Sequence, residues 1–535
     1  MVAPSSGAPV LFPASIDLAS LDGTNGFILE GINSDDRSGR SVSGAGDVNG
    51  DGFDDVIIGA WGGIRDTSHV VFGHAGGFDA TLDLVLLDGE NGFRFSGDGD
   101  FDRTGWSVSG AGDINGDGFD DIITGSPRAG SRAGESYVVF GKAGGFPNTV
   151  RPSMLDGTAG FTLTGEADND QAGWAVSGAG DVNGDGFDDL IIGAPFATPT
   201  SPFNDRAGKS YVVFGKATGF EPTFDLGSLD GENGFALRGN ETTERSGWSV
   251  SGVGDVNGDG FDDIIIGAPT ASPGQTLTGG TSYVVFGKAS DFDPLVSLRT
   301  LDGSKGFSFS GVGRGEESGT SVSGAGDING DGFADVIIGA PLASSPGGSA
   351  GQSYVVFGAA EGFLPAIDSD DLDGDNGFVI SGIASRDNSG ISVSAAGDIN
   401  ADGVDDIVVG ALDANGLGPL SSGESYVLYG RTDGGFGSFF DLGDLDGSNG
   451  FVLNGIAWLD YSGESVSGAG DFNGDGVDDL LIGASGADST PRRDEGESYI
   501  VFGRRVPEPA TALCPVLAGT LSSIWRRRRT HVSSQ

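Results

Sequence analysis

Seven copies of one acidic segment carry the oxygen atoms that could do metal chemistry in this chain. Each copy reads Asp-x-Asn-x-Asp-Gly-x-x-Asp, and the first runs from Asp47 to Asp55. Successive copies begin 66 to 74 residues apart. Oxygen ligands at alternate positions suit a hard cation, and Gly at position 6 permits the sharp turn that folds the segment around an ion. The sequence therefore predicts seven calcium-binding loops.

The predicted ligands are the side chains at positions 1, 3, 5 and 9 and the main-chain carbonyl at position 7. Calcium is expected rather than magnesium because it accepts more ligands in looser geometry. Up to seven Ca²⁺ ions are expected. The ligand positions of the seven loops are Asp47, Asn49, Asp51, Phe53 and Asp55; Asp113, Asn115, Asp117, Phe119 and Asp121; Asp181, Asn183, Asp185, Phe187 and Asp189; Asp255, Asn257, Asp259, Phe261 and Asp263; Asp327, Asn329, Asp331, Phe333 and Asp335; Asp398, Asn400, Asp402, Val404 and Asp406; and Asp471, Asn473, Asp475, Val477 and Asp479.

An EF-hand is excluded because its loop needs a bidentate Glu at position 12, where the first copy has Ile58. An Asx-rich turn that binds no ion is the structural alternative. Position 8 is Asp in six copies and Ala334 in the fifth, whereas position 4 is Gly in six copies and Ala401 in the sixth. Because position 8 varies, we expect its carboxylate to be solvated or to support the site without binding the ion.

Four short apolar segments surround each loop in a fixed order. In the third repeat they are residues 160–165, 174–178, 190–195 and 210–215. They are rich in β-branched and aromatic residues and are bounded by Gly, Pro, Asn and Asp, which indicates strands joined by turns. Four antiparallel strands repeated radially predict an all-β fold, a seven-bladed β-propeller of four-stranded blades.

The two ends of the repeat region predict how the ring closes. A Gly-Phe strand at residues 26–31 precedes the first repeat, and no fourth strand follows residues 498–503. We expect Phe27-Ile28-Leu29 to pair beside Tyr499-Ile500-Val501 as the outer strand of the last blade, which removes two exposed sheet edges. Seven Leu-Asp-Gly turns support the count of blades, and they begin at Leu21, Leu87, Leu155, Leu229, Leu301, Leu372 and Leu445.

The strand ends carry a family resemblance. Gly193-Ala194-Pro195 after the second strand and Phe214-Gly215 after the third, with the metal loop between strands, resemble the FG-GAP repeat of integrin α-subunit propellers. The resemblance spans residues 13–505 and implies a calcium-binding adhesion or matrix-binding module. Some repeats depart from Gly-Ala-Pro, and loops in all seven blades exceed the integrin pattern, in which only some blades carry them.

The terminal segments bear on cellular location. Residues 1–12 are expected to form a tail. In residues 506–535, a Pro-Glu-Pro sequence, a weakly apolar stretch and the cluster Arg526–529 resemble the bacterial PEP-CTERM sorting signal, which an exosortase processes. The resemblance implies export to the cell surface and transient membrane contact, and a disordered basic tail is the alternative. No Lys or Arg precedes Arg37, so a secretory signal peptide is not visible.

Composition narrows the function classes. The net charge of −49 argues against nucleic acid and anionic membranes as partners. Three histidines, His69, His74 and His531, and the single Cys514 do not assemble a recognisable nucleophile and base. We therefore expect a binding protein rather than an enzyme. The alternatives are a polysaccharide-processing enzyme or accessory protein, and a structural matrix protein without a specific ligand.

The ligand face is predicted from topology. If the metal loops join strands 1 and 2, the connections 2–3 and 4–1 lie on the opposite face, where a protein or polysaccharide ligand of unknown identity is expected to bind. Phe196 and Phe203 lie in the long loop of residues 195–209. Trp458 and Tyr461 are candidates for exposed aromatic contacts. Three recurring tryptophans, in contrast, share parity with buried valines and are expected in the core between blades: Trp106, Trp174 and Trp248.

Overall fold

Glycine-rich turns divide the chain into short strands, which pair into seven sheets in the computed structural model. The structure describes residues 12–62, 66–198, 206–272, 279–290, 292–344, 348–360, 362–414, 421–432, 435–488 and 494–505. The described residues form seven five-stranded sheets, each with four antiparallel strands in meander order. Consecutive sheets pack side by side around a central axis. The predicted seven-bladed β-propeller is confirmed.

We number the blades by their acidic loops and the strands from the centre outward. Strand 1 is Ser41–Gly46, Ser107–Gly112, Ala175–Gly180, Ser249–Gly254, Ser321–Gly326, Ser392–Gly397 and Ser462–Gly470 in blades one to seven. Strand 2 is Asp55–Ala60, Asp121–Ser126, Asp189–Ala194, Asp263–Ala268, Asp335–Ala340, Asp406–Ala411 and Asp479–Ala484. Strand 3 is Thr67–Val71, Glu135–Val139, Lys209–Val213, Thr281–Val285, Gln352–Val356, Glu424–Leu428 and Glu497–Val501. Strand 4 is Gly92–Ser96, Gly160–Thr164, Gly234–Arg238, Gly306–Ser310, Gly377–Ser381, Gly450–Asn454 and Gly26–Glu30.

A fifth strand, absent from the sequence prediction, covers the outer edge of every blade. In blades one to seven it is Thr149–Val150, Thr223–Asp225, Leu295–Ser297, Ala366–Asp368, Phe439–Asp441, Ser15–Asp17 and Thr81–Asp83. It pairs in parallel with strand 4 of its own blade. Along the chain, it precedes strand 4 of the following blade. With two or three residues, it is too short to show an alternating pattern. It protects strand 4 from edge-to-edge pairing.

In the part of the chain that the structure describes, helical structure is confined to single turns. Short 3₁₀ helices follow the fifth strands at Leu18–Ser20, Leu84–Leu86, Pro152–Met154, Leu226–Ser228, Leu298–Thr300, Ser369–Asp371 and Leu442–Asp444. One further turn, at Ala129–Arg132, has positive φ at Gly130, Ser131 and Arg132. None of the helices in the described ranges has the length and apolar character needed to span a bilayer.

The hydrophobic core lies between neighbouring blades. Strand 2 is buried along its whole length, as in Asp55–Ala60, because both faces of its sheet are covered by adjacent blades. One apolar cluster joins Ile57 and Val70 of blade one to Ile122 and Tyr137 of blade two. Each blade therefore depends on its neighbours for burial, as the repeat length predicts.

The N-terminal segment closes the ring through two blades. Phe27 pairs with Ile500 and Ile28 with Tyr499 in an antiparallel register, which confirms the predicted closure. Strand 4 is not the outermost strand of blade seven, however, because Thr81–Asp83 pairs outside it. In addition, Ser15–Asp17 pairs with strand 4 of blade six.

The boundary expected between tail and propeller, at residues 12 and 13, moves toward the N terminus. Phe12 is 2% exposed, and its ring stacks on Phe451 with the ring centroids 4.4 Å apart. Phe12 therefore belongs to the packed ring. Residues 1–11, the sorting tail at 506–535 and Cys514 lie outside the described residues.

Candidate functional site

The acidic loops connect strands 1 and 2, so all seven lie on one face of the propeller. In the first loop, Oδ1 of Asp47 accepts the N–H groups of Gly50 and Asp51, at 2.7 and 3.0 Å. Its Oδ2 accepts the N–H of Gly52 at 2.8 Å. The bonds from positions 5 and 6 to position 1 recur in every loop. The first carboxylate thus folds the loop around itself.

Two glycines of the loop are required for different reasons. Gly52, at position 6, has φ +89°, and a Cβ added there would have nothing within 4 Å, so only its backbone conformation excludes other residues. Gly50, at position 4, has φ +75°, and a Cβ there would lie 2.2 Å from the ring of Phe119 in the next blade. The exception, Ala401, has φ 56° and precedes a loop with Val477 in place of that phenylalanine. Gly330 also precedes a loop with valine at position 7, but there Thr432 of the next blade lies 2.5 Å from the Cβ position. A side chain of the following blade therefore crowds position 4 wherever it is glycine.

The aspartate at position 9 ties the loop to strand 3. Asp55 is fully buried, and its two oxygens accept the N–H groups of Val48 and Gly73 at 3.0 and 2.9 Å. The glycine is the one that follows the aromatic residue at the end of strand 3, and the same bond forms in all seven blades. Burial raises the pKa of Asp55 to about 8, and the nearby Asp51 and Asp47 carboxylates contribute to that rise.

The aspartate at position 8 links neighbouring loops, a role that the sequence analysis missed. Oδ2 of Asp120 accepts the N–H of Asp47 across the blade boundary at 2.8 Å. Equivalent bonds join the other boundaries where position 8 is Asp, including the closing boundary, where Asp54 accepts from Asp471 at 2.7 Å. Of the two expectations for position 8, the solvated carboxylate is wrong, and the carboxylate that supports a site without binding its ion is consistent with this bond. The sequence did contain a clue to this role. Position 8 is aspartate in six of the seven copies, although the predicted ligands lie only at odd-numbered positions.

One boundary lacks this carboxylate link. Between blades one and two, Asp47 and Asp120 exchange two bonds, because the N–H of Asp120 also donates to the Asp47 carbonyl at 3.2 Å. Between blades four and five, the N–H of Ala334 donates to the Asp255 carbonyl at 3.2 Å. Ala334 has no carboxylate to accept the Asp255 N–H in return. This boundary thus keeps the main-chain bond without the side-chain bond that joins the other six.

The loop residues carry the oxygen atoms that a hard cation prefers as ligands. In this structure their carboxylates accept hydrogen bonds from main-chain N–H groups. Among the described residues, no group of three or more Asp, Glu, His or Cys side chains converges as metal ligands. In the sixth loop, however, Asn400 at position 3 is 2% exposed and its Oδ1 has no hydrogen-bond partner among the described residues. A buried amide oxygen of this kind is costly unless it meets a donor or a cation. In this loop the donor atoms are of the kind that calcium takes.

On the opposite face, the three recurring tryptophans line a central cavity instead of filling the core between blades. Trp106, Trp174 and Trp248 are half-buried and border a cavity of about 350 Å³. These tryptophans lie two residues before the buried valines of strand 1, which suggested that they point to the same side. Alternation did not predict burial here, because each tryptophan lies just before the first residue of the strand, beside the cavity. The expectation of a core position is corrected.

The remaining aromatic and histidine predictions have mixed outcomes. Trp458 is 60% exposed, as expected, whereas Tyr461 is half-buried. Phe196 packs edge-on against Trp174 with the centroids 5.2 Å apart, and Phe203 lies outside the described residues. His69 is buried within strand 3 in the position that holds tyrosine in the other blades.

Matches to a known repeat family follow the order of the blades. The FG-GAP repeat profile matches residues 38–69, 104–139, 172–213, 246–285, 318–356, 389–428 and 462–501, which together cover about half of the chain. Each match begins before or at strand 1 of one blade, includes its acidic loop and ends within or at strand 3. Each match therefore corresponds to the inner three strands of one blade.

Relatives of known identity include integrin α subunits and a phospholipase D. Integrin alpha pat-2 of Caenorhabditis elegans is 30% identical over 45% of this chain and 18% of its own length. Integrin alpha-V of Gallus gallus is 30% identical over 44% of this chain and 20% of its own length. Phosphatidylinositol-glycan-specific phospholipase D of Bos taurus is 33% identical over 34% of this chain and 20% of its own length. The chain thus matches about a fifth of each of these relatives.

Proposed function

The chain belongs to the FG-GAP repeat family and forms an integrin-α-like propeller, and from this premise we propose a calcium-binding, exported bacterial adhesion or extracellular-matrix binding module. Family membership supports a general adhesion or binding role. The observation that carries the calcium assignment is one loop geometry repeated in all seven blades. The unpartnered Asn400 oxygen adds support in the sixth loop.

Up to seven calcium ions would be held by the loop residues at positions 1, 3, 5 and 9 and by the carbonyl at position 7. Bound calcium would supply positive charge beside carboxylates that otherwise repel one another. The protein's part is to hold those carboxylates: position 1 is fixed by loop amides, and position 9 by strand 3. We infer that the role is structural stabilisation, since ligands gathered only in the folded chain couple binding to folding.

The first prediction is that calcium raises the melting temperature. At about 100 times the dissociation constant, one independent site adds ~2.7 kcal/mol of stability. Calorimetric melting with saturating calcium, with magnesium and with excess chelator measures the effect. A melting curve that chelator leaves unmoved would show that the loops are turns without ions.

The second prediction concerns which residues bind the ion, and two variants test it. Asp255→Ala removes the first ligand of the fourth loop and should lower the calcium stoichiometry by one ion. Asp54→Ala, at position 8, should keep the stoichiometry because its carboxylate bonds the neighbouring loop. Equal loss of metal in both variants, measured by atomic emission after gel filtration, would refute the ligand set.

Ligand binding is assigned to the face opposite the acidic loops. Trp458 is the most exposed tryptophan among the described residues of this face, and the cavity bordered by Trp174 lies at its centre. A glycan and protein array, probed with and without chelator, tests whether a protein or polysaccharide is bound. An array without any calcium-dependent hit would favour a structural matrix protein that has no specific ligand.

Export and processing depend on the C-terminal tail. If the PEP-CTERM resemblance holds, an exosortase removes the segment beyond about Pro509 after transient membrane contact. Export suits a module stabilised by calcium, and no nucleic-acid partner is proposed for so acidic a chain. Mass spectrometry of the surface form should find the arginine cluster removed. Intact arginines on that form would contradict processing.

We infer binding rather than catalysis. The carboxylates of the acidic loops have structural partners, and His69 is enclosed within a blade. The similarity to the phospholipase covers about a fifth of that enzyme, so its activity is not transferred to this chain. A polysaccharide-processing or accessory role remains the second candidate. Turnover of glycans that bind on the array would favour it over simple adhesion.

A further inference from the structure

Seven equivalent positions, one in each blade, border the central opening opposite the acidic loops. Blades two to four contribute tryptophan, whereas blades five and six contribute Thr320 and Ile391. The full set is Arg40, Trp106, Trp174, Trp248, Thr320, Ile391 and Glu464. One side of the opening, formed by blades two to four, is therefore aromatic, and the other side has no tryptophan at these positions. The repeated fold alone does not explain this difference.

The aromatic half forms a continuous wall. We define the tryptophan arc as Trp61, Trp106, Trp174 and Trp248, in which successive ring centroids lie 4.6, 4.7 and 4.9 Å apart. Neighbouring rings are tilted by 47° to 53°. Trp106, Trp174 and Trp248 line the opening, and Trp61 extends the arc by its contact with Trp106. All four side chains are half-buried. The exposed parts of these indoles, at the centre of a loop face, offer apolar area for a ligand.

Arginines flank this arc. The Arg103 guanidinium lies 4.6 Å from the Trp61 ring centroid and 4.4 Å from that of Trp106. Arg245 lies 5.4 Å from the centroid of Trp248. Between them, blade three has Gln171 at the position equivalent to both arginines. Trp174 is thus the centre of an arc with a guanidinium on each side.

The local charge contrasts with the rest of the molecule. The chain carries a net charge of −49, yet Arg37 also approaches the arc, at 5.5 Å from the Trp61 centroid. Two carboxylates offset part of the cluster: Glu464 pairs with Arg40 at 3.1 Å, and Asp66 accepts the main-chain N–H of Arg103 at 2.6 Å. The guanidinium groups beside the arc still form a cationic site on an acidic protein, which favours an anionic ligand.

We propose that the tryptophan arc binds an acidic polysaccharide, with a pyranose ring packed on Trp174 and the carboxylates of adjoining sugars paired with Arg103 and Arg245. This inference rests on the proposed binding function and specifies its ligand class. The C–H face of a pyranose ring suits the electron-rich face of an indole. A guanidinium pairs with a carboxylate through two parallel hydrogen bonds. Neutral glycans would leave the arginines unused, and acidic peptides without flat rings would leave the indoles unused.

The test is titration calorimetry of the full chain in calcium with three probes of equal length. Hexagalacturonate is an acidic sugar, maltohexaose is a neutral sugar, and hexaglutamate is an acidic peptide. We expect hexagalacturonate to bind at least tenfold more tightly than either of the others. Its affinity should fall as salt is added, because the arginines are partly exposed.

Variants separate the arc from the surrounding face. Trp174→Ala and Arg245→Gln should each weaken hexagalacturonate binding about tenfold, and Trp174→Phe should lose less than Trp174→Ala. Arg386→Gln removes an exposed arginine from the corresponding connection of blade six and should leave binding unchanged. Melting temperatures verify that each variant is folded, and Arg245→Gln provides the test if Trp174→Ala does not fold.

The inference would be overturned by equal binding of maltohexaose or hexaglutamate, or by full affinity in both Trp174→Ala and Arg245→Gln. Array hits whose binding requires Trp458 but not Trp174 would also overturn it, while leaving the adhesion function standing. Loss of every array hit would instead count against the adhesion function itself.

Discussion

At the scale of single residues, strand 3 shows how one buried side chain can set the pH response. The position is tyrosine in six blades and His69 in the first. Where it is tyrosine, the hydroxyl commonly bonds a carboxylate, as Tyr137 does with Glu135 at 2.7 Å. The ring nitrogens of His69 have no hydrogen-bond partner among the described residues. Burial, reinforced by the positive charge of Arg94, lowers the pKa of His69 to about 3.

We therefore predict that His69→Tyr stabilises blade one and flattens the acid side of the pH profile. The unfolded histidine binds a proton below its usual pKa of about 6.5, whereas the folded one stays neutral down to about 3. Stability contributed by this group is thus complete above pH 6.5 and declines as the pH falls, by about 2 kcal/mol at pH 5. Denaturant unfolding at pH 5 and 8 measures the difference.

The control for this prediction is His74→Tyr. His74 is exposed and stacks on Phe78 with the centroids 4.2 Å apart. If both tyrosine variants change the pH profile equally, the buried position has no special role and the assignment to His69 fails.

At the scale of elements, the bond from position 8 to the preceding loop determines how strongly neighbouring blades are joined. We predict that Asp54→Ala costs about 1–3 kcal/mol, because it leaves the Asp471 N–H at the closing boundary without its acceptor. Conversely, Ala334→Asp should add about 1 kcal/mol by giving the Asp255 N–H an acceptor. Denaturant unfolding in saturating calcium measures both changes. Stabilisation by Ala334→Asp with an unchanged calcium stoichiometry would distinguish a link between blades from a new metal ligand.

The contact between position 4 and the next blade is tested by a double-mutant cycle. Gly50→Ala should cost about 2–3 kcal/mol, because the new Cβ meets the Phe119 ring and the backbone has φ +75°. In a Phe119→Val background, the same change should cost only about 1 kcal/mol, the backbone contribution. Gly52→Ala is the matched control, since nothing lies within 4 Å of its Cβ. Additive effects of Gly50→Ala and Phe119→Val would contradict the contact.

Elements with a strong repeat could be predicted from the sequence, and those without one could not. Strands 1 to 4 and the acidic loops were predictable because glycines and aspartates recur at fixed offsets. The outer strand Thr81–Asp83 was not, because three residues carry no periodicity. Trp174 was misplaced because alternation holds only within a strand, and it precedes Ala175–Gly180. The role of Asp120 was missed because its partner Asp47 is 73 residues away.

At the scale of the whole molecule, closure depends on the N-terminal segment. We predict that deletion of residues 1–31 opens the ring and causes aggregation, because it removes strand 4 of blade seven and the fifth strand of blade six. Phe12→Ala alone should cost about 3 kcal/mol, as expected for loss of a buried phenyl ring. Gel filtration and thermal unfolding measure the two effects. Deletion of residues 1–11 keeps Phe12 and is the control expected to leave the ring closed.

Because the N-terminal segment pairs with the last two blades, the ring cannot close until those blades have been synthesised. Residues 26–30 leave the ribosome early, but their partner at residues 497–501 follows roughly 470 residues later. At about 5–20 residues per second, that interval is on the order of half a minute to a minute and a half. Throughout it, the edge of this strand that pairs with residues 497–501 has no partner, although Thr81–Asp83 can already cover its other edge. We therefore expect slower translation and limited chaperone access during this interval to lower the fraction of newly made chain that becomes a closed ring.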